Sequence, residues 1–247
     1  MKRARVLLVE DDASIRRYVG MALGDLPLDL VEAGTLSEAR QALTSGSYAL
    51  LLTDLMLPDG SGLDLLAELQ AEPTLRGQAR IVVFSAGVSG DVRERAMALG
   101  AWQVLDKPVA HAALVGCVAQ ALAGPDSAAA ASTESALQRG EVSPAMMRAA
   151  AIAAHFAGHA GLYDEFRAAS VAQFDADIAE ADAACLRPDV AALRRQAHNL
   201  KTVLLLLGAE DASAQARALE SAAAGATTMT ALLPLWQTLR SVVRSLR

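Results

Sequence analysis

Between Arg5 and about Ala123 the chain repeats one pattern five times, a short apolar run followed by a stretch with helical spacing. The runs are RVLLV, LDLVEA, ALLLT, RIVVFS and WQVL. Short, largely apolar runs of this kind fit strands buried on both faces, and strands separated by helices pair in parallel. Five such βα units predict a doubly wound α/β domain with a five-stranded parallel sheet covered by helices on both sides. In such a sheet the carboxyl ends of the strands lie side by side, and residues remote in sequence meet there.

After this domain the strand signals stop. GPDSAAAASTESALQRGE, residues 124–141, has no hydrophobic period and reads as a linker with some helical propensity from its alanines. Residues 142–247 carry helical patterns only, with breaks near Gly161, Arg187-Pro188, Gly208 and Gly225. The expected organisation is an α/β domain over 1–123, the linker, and an all-α antiparallel bundle of four to five helices. A helical linker would hold the two domains apart, so the bundle is expected to serve a separate partner.

Composition narrows the function classes. Hydrophobic residues make up 53% and aromatics 4%, with an excess of Ala and Leu toward the carboxyl end that favours helix there. A formal charge of −6 argues against a general nucleic-acid surface. No helix-turn-helix with a basic recognition helix is apparent, although Arg240, Arg244 and Arg247 give the last helix a mildly basic side. Nucleic acid is therefore not an expected partner. Cys117 and Cys185 lack neighbouring ligands and read as free thiols in a reducing cytoplasm. The start, MKRARVLLVEDD, meets acids too early for a signal peptide, and no uninterrupted apolar run of about 18 residues suggests membrane insertion. The sequence leaves the oligomeric state open.

The polar residues that close the strands carry the chemistry. Glu10, Asp11 and Asp12 follow the first strand, Asp54 the third, Ser85 ends the fourth, and Lys107-Pro108 follows the fifth. On one sheet edge these form an acidic pocket with a single cation and a hydroxyl. Crowded carboxylates repel and need a counterion; Mg²⁺ suits oxygen ligands and completes its shell with water and phosphate oxygens. A nucleophilic carboxylate, a metal, a Lys and a Ser are the parts needed to move a phosphoryl group onto an aspartate.

LLVEDD, LLTDLMLPDGSGLDLL, VVFSA and VLDKPV together resemble the receiver domain of two-component response regulators, over residues 4–123. The resemblance implies a flavodoxin-like fold in which Asp54 accepts phosphate from a phosphohistidine of a sensor histidine kinase. It implies that Asp12, Asp54 and the backbone carbonyl of Met56 bind Mg²⁺, with Asp11 assisting through water. Ser85 would hydrogen-bond the phosphoryl group, and Lys107 would pair with its oxygens. One departure is Val104, where receivers often carry a switching aromatic; Trp102, two residues earlier, is expected to pack.

In the second half, Val190, Leu193, Ala197, Leu200, Leu204 and Leu207 form one apolar helical stripe. His198 lies about 100° from Ala197 and shares its side with Arg194, Arg195, Lys201, Thr202 and Leu205, which predicts an exposed basic ridge. An imidazole there can act as nucleophile, with Lys201 one turn on to pair with a phosphoryl group. AHNLKTVLLLLGA resembles the histidine-phosphotransfer pattern, with Gly208-Ala209 ten residues after the His and Thr202 where the family has Gly. The resemblance implies phosphoryl exchange between His198, supported by Lys201, and another receiver domain. Read so, the chain is a non-hydrolytic phosphorelay signalling component. The alternative is a phosphorylation-controlled adaptor or dimerisation protein whose bundle binds a kinase without transfer. His155 and His159, one turn apart, lack a third metal ligand, and His111 reads as polar surface.

Overall fold

The computed structural model describes residues 3–85, 90–123 and 144–246. Five parallel strands, β1 (Ala4–Val9), β2 (Leu28–Ala33), β3 (Leu50–Asp54), β4 (Arg80–Ser85) and β5 (Gln103–Asp106), form one sheet in the order β2-β1-β3-β4-β5. They alternate with α1 (Ala13–Ala22), α2 (Leu36–Ser45), α3 (Gly62–Ala71), α4 (Gly90–Ala98) and α5 (His111–Ala123). This is the flavodoxin-like, doubly wound arrangement anticipated from the βα repeat.

Successive residues of a strand face opposite sides, and that alternation builds two cores. Leu7, Val9, Leu51, Ile81 and Val83 pack with the helices on one face, including Leu36 of α2 and Leu66 of α3. Val6, Leu8, Leu50, Leu52, Val82 and Phe84 pack on the other with Ile15, Tyr18 and Val19 of α1 and Leu114 and Val118 of α5. The register levels the carboxyl ends: Val9 lies opposite Ala33 and Thr53, Asp54 opposite Phe84, and Ser85 opposite Asp106. Trp102 packs as expected, with the Arg80 guanidinium 5.0 Å from its ring centroid, and Val104 is buried.

The remainder is helical: α6 (Pro144–His155), α7 (Ala160–Leu186), α8 (Val190–Leu206), α9 (Glu210–Gly225) and α10 (Leu233–Ser245). Cross-helix pairs give their directions. Arg195 meets Glu180 and Tyr163 meets the Leu207 carbonyl, so α7 and α8 run antiparallel. His198 meets Glu220, and Ser213 meets the Lys201 carbonyl, so α8 and α9 do too. Trp236 and Leu246 of the last helix segment reach Asp182 and Arg167, antiparallel again. Gly208, at φ +78°, makes the turn after α8, and a side chain there would meet the Met147 carbonyl at 2.9 Å.

The linker expected over 124–141 lies outside the described residues. The expectation that the two parts stand apart is overturned, because the core of α1 and α5 continues without a break into Phe156, Phe166, Leu204 and Leu206. Tyr18 sits at the centre of the seam. Its ring is 5.5 Å from Phe156 and 5.7 Å from Phe166, both edge-on or strongly tilted, and its hydroxyl meets the Val109 carbonyl at 2.7 Å and the His155 carbonyl at 3.1 Å. His111 joins the same seam, its ring 5.2 Å from that of His159. Apolar area withheld from water drives such packing, and an aromatic ring contributes most per residue. Tyr18→Ala is therefore expected to cost roughly 3–5 kcal/mol. Calorimetry should show one cooperative transition in the parent splitting into two, at lower temperature, in the variant.

Candidate functional site

Asp54 is the last residue of β3 and is fully buried. The chain leaves it through a tight hairpin, Met56–Leu57 against Gly60–Ser61, and α3 begins at once. A Cβ on Gly62 would lie 2.1 Å from the Asp54 carbonyl oxygen, so only glycine lets the helix start against that backbone. Ser61 and Asp64 close a capping box on α3, and Asp59 accepts the Leu36 and Ser37 N–H groups at the start of α2. The PDGSG stretch thus fixes three loop ends around one carboxylate.

Lys107, just past β5, donates to Asp54 Oδ2 at 2.8 Å and to Glu10 Oε2 at 2.5 Å, with its own backbone N–H held by the Ser85 carbonyl. Ser85 is buried at the end of the neighbouring strand. Carboxylate oxygens of Glu10, Asp11 and Asp54 lie within 4.8 Å of one another. Asp12, next in sequence, caps α1 with Oδ1, which accepts the Ile15 N–H at 2.8 Å. That bond leaves the second oxygen of Asp12 available, and Glu10 joins Asp11 and Asp54 at the pocket as a carboxylate the sequence reading did not assign to the metal. Three consecutive acids after a strand signalled the pocket, and the third also caps the helix that follows. Met56 opens the hairpin two residues beyond Asp54.

The electrostatics express crowding. Burial pushes the Glu10 carboxyl up to about 8, with Lys107 opposing and the charges of Asp54 and Asp11 reinforcing the rise. Burial and Asp54 raise Asp11 to about 6, against a hydrogen bond from Asn199. Burial works against the Lys107 ammonium, yet Asp54 and Glu10 outweigh it and hold the group charged. Three carboxylates face one ammonium, and Asp11 Oδ1 is buried without a hydrogen-bond partner. An all-oxygen donor set with an unused buried oxygen fits a hard divalent cation such as Mg²⁺.

The pocket is roofed from the helical part. Asp11 Oδ2 accepts from Asn199 Nδ2 at 3.2 Å and faces Arg195 Nε at 3.5 Å, both on α8. Beside them a cavity of about 330 Å³ is lined by Asp11, Asp12, Arg16, Asp177, Arg195 and Asn199, among others. Burial first, then the charge of Asp12, raises Asp177 to about 7.

His198 lies on α8 beside that roof. The predicted exposed ridge is corrected: His198 is 5% exposed, Lys201 7% and Thr202 4%. The helical phase was right, but α9 and the α/β domain cover the face. His198 Nδ1 is 2.7 Å from Glu220 Oε1, Lys201 Nζ donates to Glu220 Oε2 at 2.5 Å, and His198 Nε2 is buried with no partner. Sequence reasoning missed Glu220, which sits on the next helix with no spacing rule to link it to His198.

Residues 6–119 match the family described as response regulator receiver domain. The amino-terminal half of this chain is a receiver domain. It is 38% identical over 122 residues to the response regulator protein PilR of Pseudomonas aeruginosa, covering 49% of this chain and 27% of PilR. It is 33% identical over 111 residues to the phosphate regulon transcriptional regulatory protein PhoB of Escherichia coli, covering 45% and 48%. The chain thus spans less than half the length of these relatives. Among solved structures, the chemotaxis response regulator CheY4 of Vibrio cholerae aligns at 22% identity and TM-score 0.46, covering 49% of this chain and all of that one. No helix among the described residues is long and apolar enough to cross a membrane.

Beside the receiver, Glu220 anchors the second site electrostatically. Burial alone would raise its carboxyl, but hydrogen bonds from His198 and Lys201 bring it down to about 2. A lowered folded-state value means that Glu220 stabilises fully above its ordinary 4.5 and that this contribution is lost as pH falls toward 2. Glu220→Gln should lower the melting temperature at neutral pH and flatten its fall between those limits, as read from thermal melts across the acid range.

Proposed function

We propose that this chain is a phosphorelay component in which Asp54 accepts a phosphoryl group from a sensor histidine kinase and His198 exchanges phosphate with a receiver domain. The observation that carries the reading is the Lys107 bridge between Asp54 and Glu10 beside a third converging carboxylate. Asp54 Oδ2 attacks the phosphorus of the kinase's phosphohistidine, and the P–N bond breaks as the P–O bond forms, its electron pair leaving on the kinase imidazole. The Lys107 ammonium, already at that oxygen, moves to the phosphoryl oxygens as charge accumulates there, and Ser85 donates to another. Asp12 and Asp54 would hold Mg²⁺ with the Met56 carbonyl a further oxygen ligand and Asp11 assisting through water, Glu10 standing beside them on Lys107, and the metal would neutralise phosphoryl charge when bound. The chemistry is transfer without hydrolysis.

At the second site, Glu220 holds the Nδ1–H tautomer of His198, which leaves the Nε2 lone pair for phosphorus. Lys201 shares the same carboxylate and stands ready for a phosphoryl oxygen. The burial of His198 is the one observation favouring the second reading, an adaptor in which His198, Lys201 and Glu220 form only a structural ion cluster.

Acetyl phosphate with Mg²⁺ should label residue 54, and excess chelator or Asp54→Asn should abolish the label, because the phosphate dianion otherwise meets the acids unscreened. Mass spectrometry of the labelled peptide reads this; equal labelling in chelator would falsify the metal-assisted mechanism. Incubation with a phosphorylated receiver should place an acid-labile, base-stable phosphoryl group on the wild type and none on His198→Gln. If no receiver delivers such a group while the bundle still binds a kinase, the adaptor reading stands instead.

A further inference from the structure

We propose that the receiver domain exchanging phosphate with His198 is the chain's own, so that Asp54 and His198 form an intramolecular pair; the inference rests on the phosphorelay reading above. Helix α8 lies across the mouth of the Asp54 pocket. Arg195, Asn199 and Thr202 occupy successive turns of one helix face. The first two reach Asp11 Oδ2, at 3.5 and 3.2 Å, and Thr202 lines a small void with Lys107, Phe84 and Tyr18. A whole helix face therefore docks on the pocket. His198 immediately precedes Asn199 and lies one turn before Thr202, the residues that meet the pocket wall, at the border of the docked face. The Asp11 carboxylate to which Asn199 donates approaches within 4.8 Å of that of Asp54.

Accessibility points to the same partner. His198 is 5% exposed, so the docked arrangement shields its imidazole from any other receiver. A second molecule's receiver would reach Nε2 only after this one had left, uncovering the seam of Ile15, Tyr18, Phe156 and Phe166. Loss of that apolar contact opposes separation. Nε2 is meanwhile buried without a hydrogen-bond partner, a cost that a role in transfer would explain.

The step balances. The Nε2 lone pair attacks phosphorus of the Asp54 acyl phosphate, and the P–N bond forms as the P–O bond to Asp54 breaks. The Asp54 carboxylate leaves with that electron pair. The imidazole becomes an N-phosphoryl imidazolium whose Nδ1–H stays on Glu220, and no proton need enter or leave. The reverse step returns the group. Holding both groups in one chain replaces an encounter between molecules with a local, high effective concentration.

The test uses the full chain, labelled with radioactive acetyl phosphate and Mg²⁺, and follows base-stable, acid-labile label over a hundredfold range of protein concentration. Phosphohistidine is expected to form with a first-order rate independent of concentration. An equimolar mixture of Asp54→Asn and His198→Gln chains is expected to form less than about a tenth as much. Arg195→Ala combined with Asn199→Ala, checked for helix content, should slow the first-order step about tenfold, the loss expected from weakening charge-assisted hydrogen bonds. A rate proportional to concentration, a mixture as active as the wild type, or an unchanged rate in the double variant would overturn the intramolecular pairing while leaving the phosphorelay reading intact. Label that stays on Asp54 and never reaches His198, with added receivers as well, would overturn both.

Discussion

Lys107 is the charge around which the receiver's functional edge is organised. Its ammonium, only 3% exposed, is shared by Glu10 and Asp54, and without it three carboxylates would face one another in a region largely removed from water. Removing one partner of such a buried set leaves uncompensated charge, which costs far more than the net benefit of the intact bridge. The strands that deliver these residues, β1, β3 and the end of β5, must therefore finish level. The parallel register does this, and Gly62 lets the next helix close directly over Asp54.

The same charge problem recurs on α8, with a different solution. Glu220 accepts from both His198 and Lys201, and its position on α9 fixes the imidazole from the adjacent helix. The two clusters are neighbours because α8 presents two faces. One carries His198 and Lys201 toward Glu220, and the other carries Arg195 and Asn199 toward Asp11. Hydrophobic packing around Tyr18 supplies the area that holds these faces in place; the polar contacts set register and direction.

Much of the receiver is legible in the chain because its signals are local or periodic. Apolar runs spaced by helices specify parallel strands, and polar residues at strand ends specify the edge, so the places of Asp54, Ser85 and Lys107 follow from the order of residues alone. The choice among Glu10, Asp11 and Asp12 is not legible in this way. A cap on α1 and a partner for Lys107 ask for the same residue type, and only the backbone direction after Val9 puts Asp12 on the Ile15 N–H and Glu10 on the ammonium.

The second half shows the boundary more sharply. Helical periodicity alone determined α8, its break at Gly208 and the side on which His198 lies, because those depend on residues three to four apart. Whether that side meets water, and which carboxylate meets the imidazole, depends on elements 22 residues away in the case of Glu220 and 188 in the case of Asp11 with Asn199. Sequence by itself thus determined a five-stranded receiver, its acidic edge and a histidine-bearing helix. Tertiary structure decided that the helix lies over the edge, because burying the aromatic seam outweighs hydrating it, and no local pattern encodes a contact between surfaces so far apart in the chain.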